Sequence, residues 1–250
     1  MNEIKIKTSS SDTEQDLRKD FFRLFKECPI PDNEMLENLA LFLKRQDLGT
    51  ILFKQKLYEN IIGTHGVVME FGVRWGASLA LFESFRGIFE PFNINRKIIG
   101  FDSFEGFPSV HEKDGNSSII SQGAYGVTDG YEKYLEQVLD YHETESPISH
   151  IKKYELVKGD AVVEIEKYLH DNPQTIIALA YFDFDIYEPT KKCLEAIKGH
   201  ITKGTVIGFD ELNLKDYQGE TLALKEVFGL DRYRIVRTPY SSNKSYIVID

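Results

Sequence analysis

The chain has 250 residues, 42% of them hydrophobic, with 40 acidic against 30 basic side chains and a formal charge of −10. That is enough apolar material for one α/β domain with an added helical segment, and the negative balance argues against a nucleic-acid or anionic-membrane surface. No run is long enough to cross a bilayer and residues 1–7 do not read as a signal peptide, so the expected location is cytoplasmic.

In chain order, residues 9–15 are polar and small and read as mobile. Residues 16–27 place Leu17, Phe21, Leu24 and Phe25 on one helical face. Pro29 and Pro31 end that helix. Asp32 or Asn33 caps a second, striped by Leu36, Leu39, Phe42 and Leu43. A third helix covers about 48–61. Residues 1–62 therefore read as an N-terminal helical cap, able to cover a cofactor, make a contact in a homodimer or higher homo-oligomer, or complete the core. Cys28 and Cys193 lie in separate helical patterns and read as reduced.

From residue 63 to 250 the pattern is α/β. Strands are expected at 67–71, 97–101, 154–157, 176–182 and 205–209, and helices at 77–89, 130–142, 161–170, 188–199 and 220–228. The alternation predicts a parallel sheet. Two last strands, 233–237 and 245–249, are too close for a crossover helix and predict an antiparallel hairpin at a sheet edge. A Rossmann-like sheet closed by such a hairpin is the class I methyltransferase arrangement.

The stretch Glu70-Phe71-Gly72-Val73-Arg74-Trp75-Gly76-Ala77-Ser78 is a strand-to-helix turn whose glycines allow close backbone approach. Its E-x-G-x-x-x-G spacing lacks the third glycine of a dinucleotide fingerprint and suits S-adenosylmethionine, a nucleoside with an amino-acid tail. Asp102, followed by Ser103, ends the second strand, where a carboxylate can accept both ribose hydroxyls. Asp160, before Ala161, either accepts the adenine amino group or only caps the next helix. The cofactor-binding set is thus Glu70, Gly72, Val73, Gly76, Ser78, Asp102, Ser103, Asp160 and Ala161. Trp75 either packs on the methionine end or closes the helix start.

Residues 103–129 form a long connection on the ligand side of the sheet, with Phe104, Phe107 and Tyr125 as apolar members, and read as a substrate lid. His111 lies within it. The fourth and fifth strands end in Asp183-Phe184-Asp185 and Asp210-Glu211. In a doubly wound sheet these ends face one crevice. Carboxylates gathered without a lysine or arginine repel unless a cation bridges them, and oxygen-only ligands suit Mg²⁺. Asp183, Asp210 and Glu211 are the candidate metal ligands, and Asp183 the candidate general base. An NAD-dependent enzyme on a similar sheet is disfavoured by the glycine spacing and the hairpin. A non-catalytic S-adenosylmethionine-binding protein is the other alternative.

With these residues in view, the chain resembles the macrocin O-methyltransferase (TylF-like) family over about residues 66–228. The matching pieces are the 70–78 turn, Asp102-Ser103-Phe104-Glu105-Gly106-Phe107-Pro108, the segment 183–190 and the segment 204–211. The resemblance implies S-adenosylmethionine, Mg²⁺ held by the carboxylates at 183, 210 and 211, and methylation of a sugar hydroxyl on a small molecule. Two departures stand out: the family usually has a second aspartate where Glu211 stands, and glycine where Phe184 stands.

Overall fold

The structure, a computed structural model, describes residues 11–107, 110–115, 121 and 123–250. Ser9, Ser10, Pro108 and the adjacent serines Ser117 and Ser118 lie outside the described residues.

The first helix, α1 (Asp12–Lys26), begins earlier than its periodicity suggests. Ser11 and Glu14 form a capping box, with the Ser11 N–H donating to the Glu14 carboxylate at 3.0 Å. Residues 12–15, expected to be mobile, are therefore helical. A short helix, α2 (Asp32–Met35), runs on as a 3₁₀ helix, Leu36–Phe42. Neither α1 nor this segment buries a residue fully. Phe21 and Phe25 meet Phe42, while Leu17 and Leu36 are 64% and 80% exposed.

By contrast, α3 (Arg45–Ile61) buries Phe53, Leu57, Tyr58 and Ile61 completely and packs on the sheet. Within the cap expected at 1–62, α3 thus packs on the sheet, while the described residues of α1 and the 3₁₀ helix are not fully buried.

The sheet comprises β1 (Val67–Phe71), β2 (Ile98–Asp102), β3 (Tyr154–Lys158), β4 (Ile177–Phe182), β5 (Ile201–Phe209), β6 (Val236–Arg237) and β7 (Ser245–Val248), ordered β3-β2-β1-β4-β5-β7-β6. The first five in that order are parallel, and β7 runs antiparallel to β5 and β6. Helices α4 (Ala77–Phe89) and α5 (Tyr131–Glu145) join α3 on one face. The other face carries α6 (Ala161–Asp171), α7 (Tyr187–Ile197) and α8 (Gly219–Val227). Strand alternation divides the two cores: Met69 and Phe71 of β1 enter one, Val68 the other. The chain thus has the Rossmann-like class I methyltransferase fold.

One cross-strand feature positions the site. Phe101, Phe71, Phe182 and Phe209 pair in register across β2, β1, β4 and β5. Their rings stack at 5.2, 4.7 and 5.7 Å between centroids. Each ring is followed by a residue of the candidate site: Asp102, Gly72, Asp183 and Asp210. Buried Arg96 fixes the opposite end of the sheet, donating to the carbonyls of Ile61 and Thr64 at 2.9 and 2.8 Å and to Glu90 at 2.8 Å.

Candidate active site

A cleft of about 830 Å³ opens at the carboxyl ends of β1, β2 and β4, within the usual size of a cofactor pocket. Strand order reverses between β1 and β4, the position where doubly wound sheets bind ligands. Gly72 lies at its floor with φ +91°, and a Cβ there would sit 2.2 Å from the Asp183 carbonyl oxygen. Only glycine fits.

The predicted cofactor residues divide into two groups. Gly72, Asp102, Ser103, Asp160 and Ala161 line the cleft. Glu70, Val73, Gly76 and Ser78 are not among its lining; Glu70 is fully buried and Ser78 nearly so. The Lys54 ammonium, reaching from α3, donates to the Ser78 hydroxyl and lies 4.9 Å from the Tyr181 ring centroid. Burial drives Glu70 up to about 8, with the Lys54 charge and Ser78 pulling the other way. Lys54 has no signal in the turn motif; it lies on α3, sixteen positions before Glu70.

Asp102 does more for the protein than the ribose reading allowed. One oxygen accepts from the Val73 and Arg74 N–H groups, both at 2.7 Å, and the other from the Phe104 N–H at 2.6 Å. Three of roughly four lone-pair positions are taken, so the carboxylate cannot grip both hydroxyls of a vicinal diol by itself. Its first work is to shape the glycine turn. Asp160 does cap α6, accepting from the Val162 N–H at 3.0 Å, while also lining the cleft. Trp75 turns edge-on to Tyr131 at 4.7 Å and does not line the cleft.

The lid folds over the cleft through Glu105, Gly106, Phe107, Gly123 and Tyr125. The N–H of Phe107 donates to Ala124 and that of Gly123 to Phe107, at 3.0 and 2.9 Å. Buried Asp114 anchors it, accepting from the Tyr187 N–H at 2.5 Å. His111 packs on Tyr187 and is not in the cleft lining. Arg74, which sequence reasoning passed over, lines the cleft with its guanidinium 4.9 Å from the Tyr125 centroid; its Nε and one terminal nitrogen are buried without partners. Phe184, at the family's glycine position, lines the cleft and contacts Phe71.

The acidic group is less bare than its sequence suggested. Asp183 and Asp185 line the cleft; Asp210 and Glu211 are not among its lining, though the Asp210 charge is felt by Asp183. Asp210 Oδ1 receives both the Lys244 ammonium and the Tyr181 hydroxyl. Burial works against ionisation of Asp210, yet Lys244 and Lys54 hold its carboxyl below the ordinary range. Burial and then Asp210 push Asp183 up to about 7, and push Glu211 likewise to about 7. Asp185, with φ +61°, is raised well above its usual value by burial and Asp183. The expectation of carboxylates without a lysine nearby is therefore corrected: Lys244, thirty-four residues on, and Lys54 supply positive charge. Among the described residues no three carboxylate, imidazole or thiol groups gather closely enough to form a ready-made metal site. Asp183, Asp210 and Glu211 adjoin without forming an ion cage. Both cysteines are free, as expected, with Cys193 buried.

No family model and no curated protein matches the chain. Among solved structures, the chain is 40% identical to the calicheamicin methyltransferase CalS11, with a TM-score of 0.93 over 99% of this chain and 97% of that one. A second, apo structure of CalS11, a TDP-rhamnose 3′-O-methyltransferase of calicheamicin biosynthesis, gives 38% identity and a TM-score of 0.84 over 96% of each chain. The O-methyltransferase NovP, 16% identical over 81% of this chain and 80% of that one with a TM-score of 0.57, shares the fold.

Proposed function

The chain belongs to the TylF-like family of sugar O-methyltransferases, and from that premise we propose that it transfers the methyl group of S-adenosylmethionine to a hydroxyl of a sugar. The observation that carries this reading is the cleft itself: a glycine floor at Gly72 with Asp183 at its edge, on a chain 40% identical to a methyltransferase.

The sulfonium cofactor is cationic, and the cleft suits it. Asp102, Glu105, Asp160, Asp183 and Asp185 line it against Arg74 and Lys158. Ser103 and Glu105, with the remaining acceptor position of Asp102, take the ribose. The orphaned guanidinium nitrogens of Arg74 take an acceptor oxygen of a bound molecule. Glu70, Lys54 and Ser78 hold the turn from beneath. Transfer requires an acceptor oxygen in line with the methyl and sulfur, with water kept out by the lid. Asp183 removes the hydroxyl proton as the oxygen attacks. The sulfur keeps the electron pair of the broken bond, so the cofactor leaves uncharged at that atom.

Mg²⁺ belongs to this reading on the chemistry of the donors. They are all oxygen, crowded with negative charge, and Glu211 Oε2 is buried without a partner. Asp183, Asp210 and Glu211 would hold the ion, and it would supply Lewis acidity to the acceptor hydroxyl. The experiment is direct: purified protein with methyl-labelled S-adenosylmethionine and TDP-rhamnose should release labelled sugar, and Asp183→Asn should abolish release while S-adenosylhomocysteine still binds. Cofactor binding without transfer to any sugar would favour the non-catalytic alternative.

The N-terminal segment supports a homo-oligomer. Leu17, Phe22, Leu24, Leu36 and Leu41 are each more than half exposed. Acidic residues open α1 (Asp12, Glu14) and basic ones close it (Arg23, Lys26). Two copies of α1 packed antiparallel about a two-fold axis would match opposite charges while covering the apolar stripe.

A further inference from the structure

The turn after β4 carries Asp183, Phe184 and Asp185, and the turn after β5 carries Asp210 and Glu211. One side chain outside the cleft lining reaches both. Glu220, in the first turn of α8, is fully buried. Its Oε1 accepts from the Phe184 and Asp185 N–H groups at 3.2 and 3.4 Å, and its Oε2 from the Glu211 N–H at 3.0 Å. Burial, then Asp185, raises this carboxyl well above the ordinary range, with the Glu211 N–H pulling the other way. Protonated or not, both of its oxygens keep acceptor positions, so it can serve both turns in either state.

Helix α8 starts hard against the turn that precedes α7. A Cβ on Gly219 would lie 2.4 Å from the Tyr187 nitrogen, so only glycine allows this approach. Asp185 stands at φ +61°, a left-handed conformation disfavoured for a non-glycine residue, and its N–H is one of the three that Glu220 accepts. Asn213, also at φ +61°, gives its N–H to the Thr221 hydroxyl at 2.9 Å. Two adjacent residues of one helical turn thus hold the left-handed positions at 185 and 213. The β4–β5 pairing runs out at Phe182 and Phe209, with one further bond from the Asp210 N–H to the Phe182 carbonyl at 3.0 Å. The acids begin where the ladder ends, and Glu220 supplies the next link between the two strands.

We propose that Glu220 is a positioning residue: by tying both turns to α8 it fixes the placement of Asp183 relative to Asp210 and Glu211. The proposal rests on the methyl-transfer reading for the reaction those acids serve, but not for the tether. A displacement of about 1 Å between reacting groups can cost on the order of a hundredfold in rate, so a side chain that touches no ligand can still govern turnover.

Hydrogen exchange and methyl transfer, both on the full chain, test it. In Glu220→Gln one acceptor oxygen replaces two. Amide exchange should therefore speed about tenfold or more in one turn, either at Phe184 and Asp185 or at Glu211, with the β1 and β4 amides unchanged. Glu220→Ala should free both turns. With methyl-labelled S-adenosylmethionine and TDP-rhamnose, kcat of Glu220→Gln should fall about tenfold or more, with KM and S-adenosylhomocysteine affinity within about twofold of the parent. Thr221→Val removes the neighbouring bond to Asn213 and is the control: its melting temperature should fall slightly without the loss in kcat. Faster exchange throughout the sheet in Glu220→Gln, or an equal loss of kcat in Thr221→Val, reduces Glu220 to a general stabilising role and overturns the proposal. A KM that rises while kcat holds overturns it as well. A parent that moves no methyl group, with the exchange pattern intact, removes the reaction and leaves the tether standing.

Discussion

The ammonium of Lys54, on α3, donates to the hydroxyl of Ser78, in the first turn of α4, directly beneath the glycine turn. It is also the main positive charge felt by Glu70, whose carboxylate is fully buried. Glu70, lifted to about 8, is protonated at neutral pH, so what Lys54→Met removes there is the buried bond to Ser78, typically worth about 1–3 kcal/mol when a buried group is left unpaired. Lys54→Met should therefore destabilise the fold at neutral pH and weaken S-adenosylhomocysteine binding, with a larger loss above about pH 8, where Glu70 ionises without its positive neighbour. In a Glu70→Gln background that extra loss should disappear in denaturant unfolding; its persistence would show that the residues act independently.

Asp102 serves three backbone N–H groups, so its replacement should act on the turn as well as on the ligand. Asp102→Asn keeps the shape but turns part of the acceptor into a donor, and should cost about 1–3 kcal/mol of stability by leaving buried N–H groups unpaired. Cofactor affinity should fall with it. Ser103→Ala, by comparison, should weaken cofactor binding with little loss of stability. Calorimetry and unfolding measured on both variants separate the two roles.

Turnover should depend on a divalent ion. Chelation of the protein with EDTA should lower methyl transfer, and Mg²⁺ should restore it, with S-adenosylhomocysteine affinity unchanged. Lys244 competes for Asp210, so Lys244→Met should tighten Mg²⁺ binding as read by calorimetry. Full activity in EDTA, with no metal found in the protein by elemental analysis, would remove Mg²⁺ from the mechanism.

Stability should fall as pH rises above neutrality. Burial lifts Glu70 and Glu83 to about 8 from an ordinary 4.5. Between those values the folded protein holds protons that the unfolded chain has released. The associated stabilisation is complete below about 4.5 and is lost as pH rises through about 8. Melting temperature should therefore decline between pH 6 and 9, and Glu83→Gln should flatten the decline. A melting temperature that climbs across this window contradicts the assignment.

The N-terminal segment can be tested by charge. Leu17→Glu with Leu24→Glu places acids on one face of α1 that buries little in the single chain, so folding and cofactor affinity should persist. Light scattering should then report a smaller species than the parent. An unchanged mass would assign the exposed stripe to something other than a second copy.

Much of the architecture was legible because it rests on local pattern. The 3.6-residue stripe of α4 and the apolar run of β1 fall where periodicity put them, and the short 238–244 connection leaves an antiparallel hairpin as the available pairing. Gly72 was legible for a steric reason, since the backbone approach it permits is a property of the residue. The start of α1 was also written in the sequence, as Ser11 and Glu14 three residues apart, but periodicity alone does not register a cap.

What sequence determined by itself was the list of parts: a parallel sheet with a terminal hairpin, a glycine turn, and acids at four strand ends. Tertiary structure decided how those acids are neutralised, because charge depends on distance in space and not along the chain. Lys54 and Lys244 reach the group from the two flanks of the domain, and stacked phenylalanines hold the strand ends level. The same packing set Glu220 against both acid-bearing turns, a contact that no linear spacing encodes.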